Sequence, residues 1–332
     1  MTILLTGAGG FLGLNIVEAL LEQGLDCVAL NDRALPTDFC DRSGLICEVA
    51  DVRDRSAMAE VLRRHGIRSV IHAAAVTLAP GSALTTVERA FDVNMVSTAI
   101  LLEEVRKAGI ARFVYPSSTA VYGAALFEDA PVTEATPPRP ASVYGYTKLA
   151  SERLVAETAG HFGLSCVRAR ITALFGPHER ETGTRDLMSL PFQMARAAQS
   201  DKEVILPEGL RRDWTSSRDV AAALVLLAIA PKLPSDLYNL GLGASWYPVL
   251  LARQLSENHP RWHHGIGRAD GSDCRLILHD DPTRTRQPLV ATKFEQDFDF
   301  RFRSPEAACR DYAQWLKTPT APPTQDIPDH AT

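Results

Sequence analysis

Membrane-spanning segments, secretion signals and strongly basic stretches are all missing from this sequence. No run reaches the roughly 18 apolar residues of a spanning helix, and no basic region precedes the first strand pattern as it does in a signal peptide. The 35 Lys and Arg residues against 40 Asp and Glu residues give a net charge of −5, which argues against a broad nucleic-acid-binding face. We therefore expect a cytoplasmic protein with no membrane or nucleic-acid partner.

Cysteine is scarce and shows none of the spacings that mark a disulfide framework or a zinc site. The six cysteines form no C-x-x-C pair, and several lie inside apolar strand patterns, which favours buried thiols in a reducing cytoplasm. They are Cys27, Cys40, Cys47, Cys166, Cys274 and Cys309.

The 332 residues are enough for two units or for one large α/β domain with an appendage. Apolar strand patterns alternate with helical periods up to residue 175, which predicts a Rossmann-type doubly wound parallel sheet in an α/β fold. The predicted strands are 3–5, 27–30, 46–50, 70–73, 112–115 and 165–171, and the predicted helices are 11–23, 56–64, 87–107 and 144–159. Residues 176–317 predict a smaller, mixed, mainly substrate-binding lobe with some return to the Rossmann core, and 318–332 a disordered tail.

A glycine-rich turn follows the first strand and opens the first helix. Gly7, Gly10 and Gly13 give the spacing G-x-x-G-x-x-G, in which the glycines allow a tight turn, a close approach to a pyrophosphate and close packing of helix on sheet. Phe11 and Leu12 begin the helix, whose free N–H groups and positive dipole end favour phosphate. This context predicts a dinucleotide cofactor.

Polar residues at the ends of the second and third strands bear on which dinucleotide binds. Asp32 would accept hydrogen bonds from the adenosine ribose and favours NAD, whereas Arg33 would hold the 2′-phosphate of NADP. A carboxylate beside that phosphate is repulsive, so NAD is favoured and NADP stays open. Asp51, next to Val52, is a candidate adenine contact, with a helix cap as an equal alternative.

Three side chains form the candidate catalytic group. Tyr144 and Lys148 are spaced i and i+4, on one face of a helix, and a nearby ammonium lowers the pKa of a phenol, which makes it a usable general acid or base. Ser118 ends the fifth strand, at the edge of a parallel sheet where ligands bind, and can hydrogen-bond the substrate oxygen.

With these motifs, residues 1 to about 177 resemble the NAD-dependent epimerase/dehydratase family of extended short-chain dehydrogenase/reductases, including its UDP-glucose 4-epimerase-like and sugar-acid dehydrogenase-like members. The resemblance implies that Ser118, Tyr144 and Lys148 are catalytic, that Asn94 supports the site and that the cofactor lies against the alanines after the fourth strand. It also implies a homodimer formed by helices 87–107 and 144–159. Those alanines are Ala73, Ala74 and Ala75.

Departures from the family pattern narrow the reaction. Dehydratases carry an Asp-Glu pair after the catalytic hydroxyl residue, whereas this chain has Thr119 and Ala120, which leaves dehydrogenation, reduction or epimerisation. Without a gap, Asn31 falls on the position of the family's ribose-binding acid. Ala173 replaces an Asn that contacts nucleotide sugars, although Arg212 matches an arginine that contacts their diphosphate.

Basic residues in the second half of the chain predict an anionic substrate, since guanidinium groups suit carboxylate and phosphate recognition. A strong alternative is that these arginines pair with neighbouring acids, above all Arg218. No metal is expected, because the histidines His259, His263 and His264 lack completing ligands. The candidate substrate-binding residues are Ser118, Thr119, His178, Arg180, Arg185, Arg212 and Trp214.

Together these features predict an NAD(P)-dependent oxidoreductase that transfers hydride at a secondary alcohol of a sugar-like, acidic substrate. A nucleotide-sugar 4-epimerase of the UDP-hexose type is the first alternative. A non-catalytic dinucleotide-binding regulator on the same fold is a remote one, because such a regulator has no use for a Ser–Tyr–Lys group.

Overall fold

The computed structural model describes residues 1–78, 85–183, 187–278 and 280–318. Its centre is a seven-stranded sheet in the order β10-β6-β5-β4-β1-β2-β3, in which every neighbouring pair is parallel. The sheet strands are β1 (Thr2–Thr6), β2 (Asp26–Asn31), β3 (Leu45–Val49), β4 (Ser69–His72), β5 (Arg112–Ser118), β6 (Ser165–Ile171) and β10 (Leu237–Leu240).

Helices alternate with the strands, as the sequence predicts. Those of the first half are α1 (Phe11–Glu22), α2 (Thr37–Cys40), α3 (Arg55–Arg64), α4 (Val87–Phe91), α5 (Ser97–Lys107) and α6 (Val143–Phe162). Those of the second half are α7 (Leu190–Gln199), α8 (Ser217–Ile229), α9 (Val249–Asn258), α10 (Thr292–Phe298) and α11 (Pro305–Trp315). None of the helices within the described ranges is long and apolar enough to cross a membrane.

The sheet is covered on both faces, which confirms the doubly wound fold. Successive side chains of a strand point to opposite faces, and in β1 they enter two different cores: Ile3 and Leu5 pack with α1 and α8, whereas Leu4 packs with α3 and α5. All three side chains are fully buried. The unbroken apolar pattern of this strand therefore reflects burial on two sides.

The predicted helix 87–107 differs in one respect from the structure. A π-helical turn, Asp92–Val96, separates α4 from α5. Asn94, in the middle of this turn, is 1% exposed. Such turns often lie at functional sites. Periodicity alone does not predict a single-turn insertion of this kind.

The second half of the chain divides its residues between the sheet and a smaller lobe. Both α8 and β10 return to the central sheet, where α8 packs on α1 and β10 pairs with β6. The lobe itself holds two short parallel pairs, β7 (Leu174–Phe175) with β9 (Thr215–Ser216) and β8 (Val204–Pro207) with β11 (His264–Gly267). The domain boundaries at 175 and 317 remain predictions. The predicted tail lies almost wholly outside the described residues.

The prediction that the cysteines are buried is wrong for two of them. Cys27, Cys166 and Cys309 are buried, but Cys40 and Cys47 are exposed. Cys47 lies in β3, an edge strand that pairs only with β2 and has a mostly exposed burial pattern. Its apolar sequence resembles that of a central strand, which explains the error.

Candidate active site

The glycine turn between β1 and α1 has two positions, Gly7 and Gly13, that leave no room for a Cβ. Gly7 has φ +69°, and a Cβ there would lie 2.7 Å from the backbone of Ala74 at the end of β4. A Cβ on Gly13 would lie 2.6 Å from the carbonyl oxygen of Ala8. The turn is therefore packed tightly against the end of β4 on one side and against the first turn of α1 on the other.

The first turn of α1 has free hydrogen-bonding capacity for a phosphate. Gly10 is the N-cap residue, and no side chain caps the helix, so Phe11 and Leu12 present first-turn N–H groups that the helix does not use. The positive end of the helix dipole lies at the same place. This loop fits the pyrophosphate of a dinucleotide.

On the adenosine side of the glycine loop, the residue that ends β2 is an asparagine and not an acid. Asn31, at the end of β2, accepts a hydrogen bond from the Gly9 N–H at 3.2 Å and donates to the carbonyl oxygen of Arg33 at 3.1 Å. The exposed side chains of Asp32 and Arg33 pair with each other at 3.4 Å. Because its guanidinium is already beside a carboxylate, Arg33 is partly neutralised as a 2′-phosphate ligand, which agrees with NAD.

Asp51 does not cap a helix. Its carboxylate pairs with Arg53 at 2.6 Å, and this contact lowers the pKa of Asp51. Asp54 is the N-cap of α3 instead and accepts from the Ala57 N–H at 3.0 Å. The cap alternative is therefore wrong, the adenine contact remains a prediction, and the neighbouring Val52 is 8% exposed.

Asn94 ties the chain after β4 to α6. Its side-chain oxygen accepts from the Val76 N–H at 2.9 Å, and its Nδ2 donates to the Val76 carbonyl at 2.9 Å and to Thr147 Oγ1 at 3.0 Å. Thr147 immediately precedes Lys148. The alanines Ala73, Ala74 and Ala75 lie on the segment that Asn94 holds, and Ala73 and Ala74 bond to Thr6.

Ser118, Tyr144 and Lys148 are carried by β5 and by the first turns of α6. A Cβ on Gly145 would lie 2.5 Å from the carbonyl oxygen of Ala120, so only glycine lets α6 approach the chain two residues beyond Ser118. Lys148 Nζ donates to the carbonyl oxygen of Pro116 at 2.8 Å and lies 5.8 Å from the centre of the Tyr144 ring. The structure therefore brings the predicted catalytic elements to one edge of the sheet.

Burial strongly affects the charge of Lys148. The residue is 3% exposed, and loss of solvation lowers the pKa of its ammonium to about 8, although the Glu152 carboxylate opposes this shift. The ammonium is therefore protonated at neutral pH and close to its titration point. A cation at this position favours the ionised form of a nearby phenol.

A buried ion pair that the sequence analysis missed lies beneath the catalytic residues. Glu152, one turn beyond Lys148 on α6, binds Arg170 of β6 at 2.7 Å and accepts from the Ser117 hydroxyl at 2.5 Å. Arg170 also lies 4.6 Å from the centre of the Tyr122 ring. The i, i+4, i+8 spacing of Tyr144, Lys148 and Glu152 was the available signal.

Two of the predicted substrate residues, Arg180 and His178, contact other parts of the chain. Arg180 donates to the carbonyl oxygen of Gly9 at 2.9 Å, which places it on the cofactor loop. His178 lies 3.1 Å from Glu18 and packs edge-on against two aromatic rings, those of Phe39 and Trp315. Arg185 lies outside the described residues.

Trp214 is part of a hydrophobic core, and Arg218 is in an ion pair, as the alternative interpretation of the arginines predicts. Trp214 is 6% exposed and packs at 5.3 Å against the ring of Trp246 in the core of the smaller lobe. Arg218 pairs with Asp311 at 2.8 Å. Neither side chain is therefore placed as a substrate anchor.

Arg212 has a cationic neighbour that the sequence analysis did not identify. Arg286 donates to Thr119 Oγ1 at 3.1 Å, next to Ser118, and both arginines lie 3.6 Å from one carboxylate oxygen of Asp280. The Nε of Arg286 is buried without a hydrogen-bond partner. Burial lowers the pKa of Arg212, and repulsion from Arg286 adds to the effect. Two guanidinium groups thus share one carboxylate beside the catalytic strand end.

No described group of three His, Cys, Asp or Glu side chains could hold a metal ion. Of the three histidines considered, His264 bonds to Ser256 at 3.2 Å and stacks on the ring of Trp262. The arrangement offers instead a phosphate-binding turn, a hydroxyl, a phenol and an ammonium, which is the equipment for hydride transfer with a nicotinamide cofactor.

Comparisons with known proteins agree with this chemistry. The model of the NAD dependent epimerase/dehydratase family matches residues 3–241. A UDP-glucose 4-epimerase of Streptomyces lividans is 30% identical over 303 residues, 86% of each chain. One of Halalkalibacterium halodurans is 30% identical over 333 residues, covering 92% of this chain and 97% of the relative.

Solved structures give the same result for the fold. A UDP-glucose 4-epimerase of Stenotrophomonas maltophila, with bound NAD and formylated UDP-arabinopyranose, superposes with a TM-score of 0.79 at 25% identity. The match covers 95% of this chain and 98% of that one. This chain therefore belongs to the NAD-dependent epimerase/dehydratase family of short-chain dehydrogenase/reductase-type enzymes, and its cofactor is NAD.

Proposed function

We propose that the protein epimerises a hydroxyl-bearing carbon of a nucleotide-activated sugar, with the UDP-hexoses as the first substrates to test. The observation that carries this proposal is the pair formed by Arg212 and Arg286 beside Thr119. Their ion pairs with the one carboxylate of Asp280 are long, at 3.6 Å each, so neither guanidinium is closely paired with it. A diphosphate offers the matching charge and enough oxygens to engage both groups.

The same geometry argues against the small acidic sugar as the first choice. Arg180, one of the basic residues predicted to bind an anionic substrate, is instead bound to the glycine loop at 2.9 Å. The 30% identical relatives are named UDP-glucose 4-epimerases, which favours the nucleotide sugar at family level. The absence of the Asp-Glu pair at Thr119 and Ala120 fits a reaction without elimination of water.

Each catalytic side chain has a defined task in this reaction. The Tyr144 phenolate takes the proton of the substrate hydroxyl and returns it at the end, while the Ser118 hydroxyl donates a hydrogen bond to the oxygen that becomes a carbonyl. The Lys148 ammonium stabilises the phenolate. When bound, NAD supplies the acceptor and then the donor of one hydride.

Inversion also requires that the oxidised sugar stays bound while its other face is presented. An anchor on the diphosphate holds the nucleotide while the sugar ring can turn about the bonds that join them. A dehydrogenase has no such need, because it releases the oxidised product together with the reduced cofactor. Net accumulation of NADH therefore distinguishes the two reactions.

The test supplies UDP-glucose or UDP-galactose with NAD and follows both the sugar product, by chromatography, and the absorbance of NADH. We expect interconversion of the two sugars without net NADH, and competitive inhibition by UDP. Arg286→Ala and Arg212→Ala should each raise KM about 100-fold, the scale for loss of a charge-assisted contact in a closed site. The exposed neighbour Arg211→Ala is the matched control.

A different result would assign a different reaction. If UDP does not inhibit, both arginine variants behave like Arg211→Ala, and a sugar acid produces NADH continuously, then the enzyme is a dehydrogenase of an acidic sugar and the epimerase proposal is refuted.

A further inference from the structure

Two exposed cysteines, seven positions apart in the sequence, meet on one side of the sheet. Cys40 is the last residue of α2 and Cys47 lies in the middle of β3. The Cys47 thiol donates to the Cys40 sulfur at 3.5 Å. The contact lies in the segment that follows the adenosine-side residues Asn31, Asp32 and Arg33.

The path of the chain explains the contact. The single turn of α2 begins after Pro36, and a loop then carries the chain back to β3, which pairs with β2 in the register Cys47 to Ala29. The Cys40 thiol also faces the carbonyl oxygens of Leu35 and Pro36 at 3.9 and 3.8 Å. Both sulfurs are thus held on the same outer side of the β2–β3 edge.

The other described thiols are poorly suited to exchange with small molecules. Burial raises the pKa of Cys27 and of Cys166 to about 12 in each case and also raises the pKa of Cys309. All three are buried, so they present neither access nor thiolate. Cys274 is half-buried and bonds to the carbonyl oxygen of Leu276.

We propose that Cys40 and Cys47 form a reversible dithiol–disulfide pair, the single intramolecular bridge that the described part of this chain makes when it meets a small disulfide such as oxidised glutathione. A disulfide needs a sulfur–sulfur distance of about 2.05 Å, so the sulfurs must approach by about 1.5 Å from their present 3.5 Å. Rotation about the two Cα–Cβ bonds on an exposed surface supplies movements of this size.

The exchange balances without any further reactant. The thiolate of one of the two cysteines attacks one sulfur of oxidised glutathione, forms a mixed disulfide and releases one glutathione thiolate. The thiolate of the other cysteine then attacks the protein sulfur of the mixed disulfide, which releases the second glutathione. Two protein thiols are oxidised, one glutathione disulfide is reduced, and the two thiol protons end on the two glutathione molecules.

The experiment treats the fully reduced full-length protein with oxidised glutathione, quenches it with acid and measures the intact mass without reductant. We expect the loss of two hydrogens, reversed by dithiothreitol. Trypsin cleaves after Arg42, between the two cysteines, so the bridge appears as two tryptic peptides joined by a disulfide. Cys27 and Cys166 should remain unmodified.

Two variants and one control test the pair. Cys47→Ser and Cys40→Ser should each stop at the mixed disulfide and gain the mass of one glutathione, because the remaining thiol has no partner with which to close the bridge. Cys274→Ser should behave like the parent. The proposal is wrong if the parent itself stops at the mixed disulfide, or if the joined peptides involve a different cysteine or a second molecule.

Discussion

Replacing Lys148 with methionine should make the protein more stable while it removes the activity. The ammonium is 3% exposed, and its pKa falls from 10.5 to about 8 because burial disfavours the charged form. At about 1.4 kcal/mol per pKa unit, the folded protein carries a charged lysine at a cost of about 3 kcal/mol at pH 7. Methionine has a similar length and no charge.

Part of this gain is lost with the hydrogen bond from Lys148 to Pro116, which is 2.8 Å long. Methionine leaves this buried carbonyl without a donor, which costs about 1–3 kcal/mol, so we expect Lys148→Met to be about 1 kcal/mol more stable than the parent at pH 7. Turnover should fall by a factor of about 100 or more, since the phenol loses its stabilising cation.

The pH dependence supplies the diagnostic signature. The folded protein loses the lysine proton near pH 8, whereas the unfolded chain keeps it up to about pH 10.5. Between these values the unfolded state binds more protons, so the stability of the parent rises with pH. The advantage of Lys148→Met should therefore shrink from pH 8 upward and be gone by about pH 10.5.

Urea unfolding of the parent and of Lys148→Met at several pH values measures the difference between their free energies of unfolding. The contributions of the other titrating groups are the same in both proteins and cancel in this difference. The exposed Lys202→Met is the matched control and should show no such trend. The reasoning fails if Lys148→Met is less stable than the parent at pH 7, or if the difference between the two stays constant from pH 7 to pH 10.5.

Three further changes test the cofactor site, the acid/base and the assembly. Tyr144→Phe should keep its affinity for NAD and lose turnover, because only the proton-transferring oxygen is removed; turnover within tenfold of the parent would contradict the assignment. Asn31→Asp should raise the ratio of the Kd of NADP to the Kd of NAD about tenfold or more, because a carboxylate would replace the amide that binds Gly9 N at 3.2 Å and would repel the 2′-phosphate. Fluorescence titration measures both constants, and an unchanged ratio would mean that the adenosine ribose lies elsewhere. The exposed apolar side chains Val96 and Tyr146 lie on the two helical segments that are predicted to form the dimer interface. In analytical ultracentrifugation at tens of micromolar, the parent should therefore be a homodimer and Val96→Glu a monomer. A monomeric parent would refute the prediction.

The order of strands and helices was predictable because the information for it is local. Strand residues such as Ile3, Leu4 and Leu5 are apolar without interruption, and a helical period follows, so the pattern gives both the parallel sheet and its two covered faces. Helix bounds were close: 11–23 was predicted, and Phe11–Glu22 is observed. The π-helical turn at Asn94 and the edge position of β3 were not predicted, because neither feature changes the local composition of the sequence.

The candidate site likewise has a part that local sequence motifs predict and a part that depends on contacts between distant segments. The glycine turn and the Tyr144–Lys148 pair are short motifs whose geometry follows from one strand end or one helix face, and the sequence by itself determined them. Partners that are distant along the chain were decided only by tertiary packing. Arg286 reaches Thr119 across 167 positions and Arg180 reaches Gly9 across 171, while Cys40 meets Cys47 only because a turn folds back onto an edge strand. A side chain's neighbours on other segments depend on how those segments pack, and no periodicity along one segment encodes that packing.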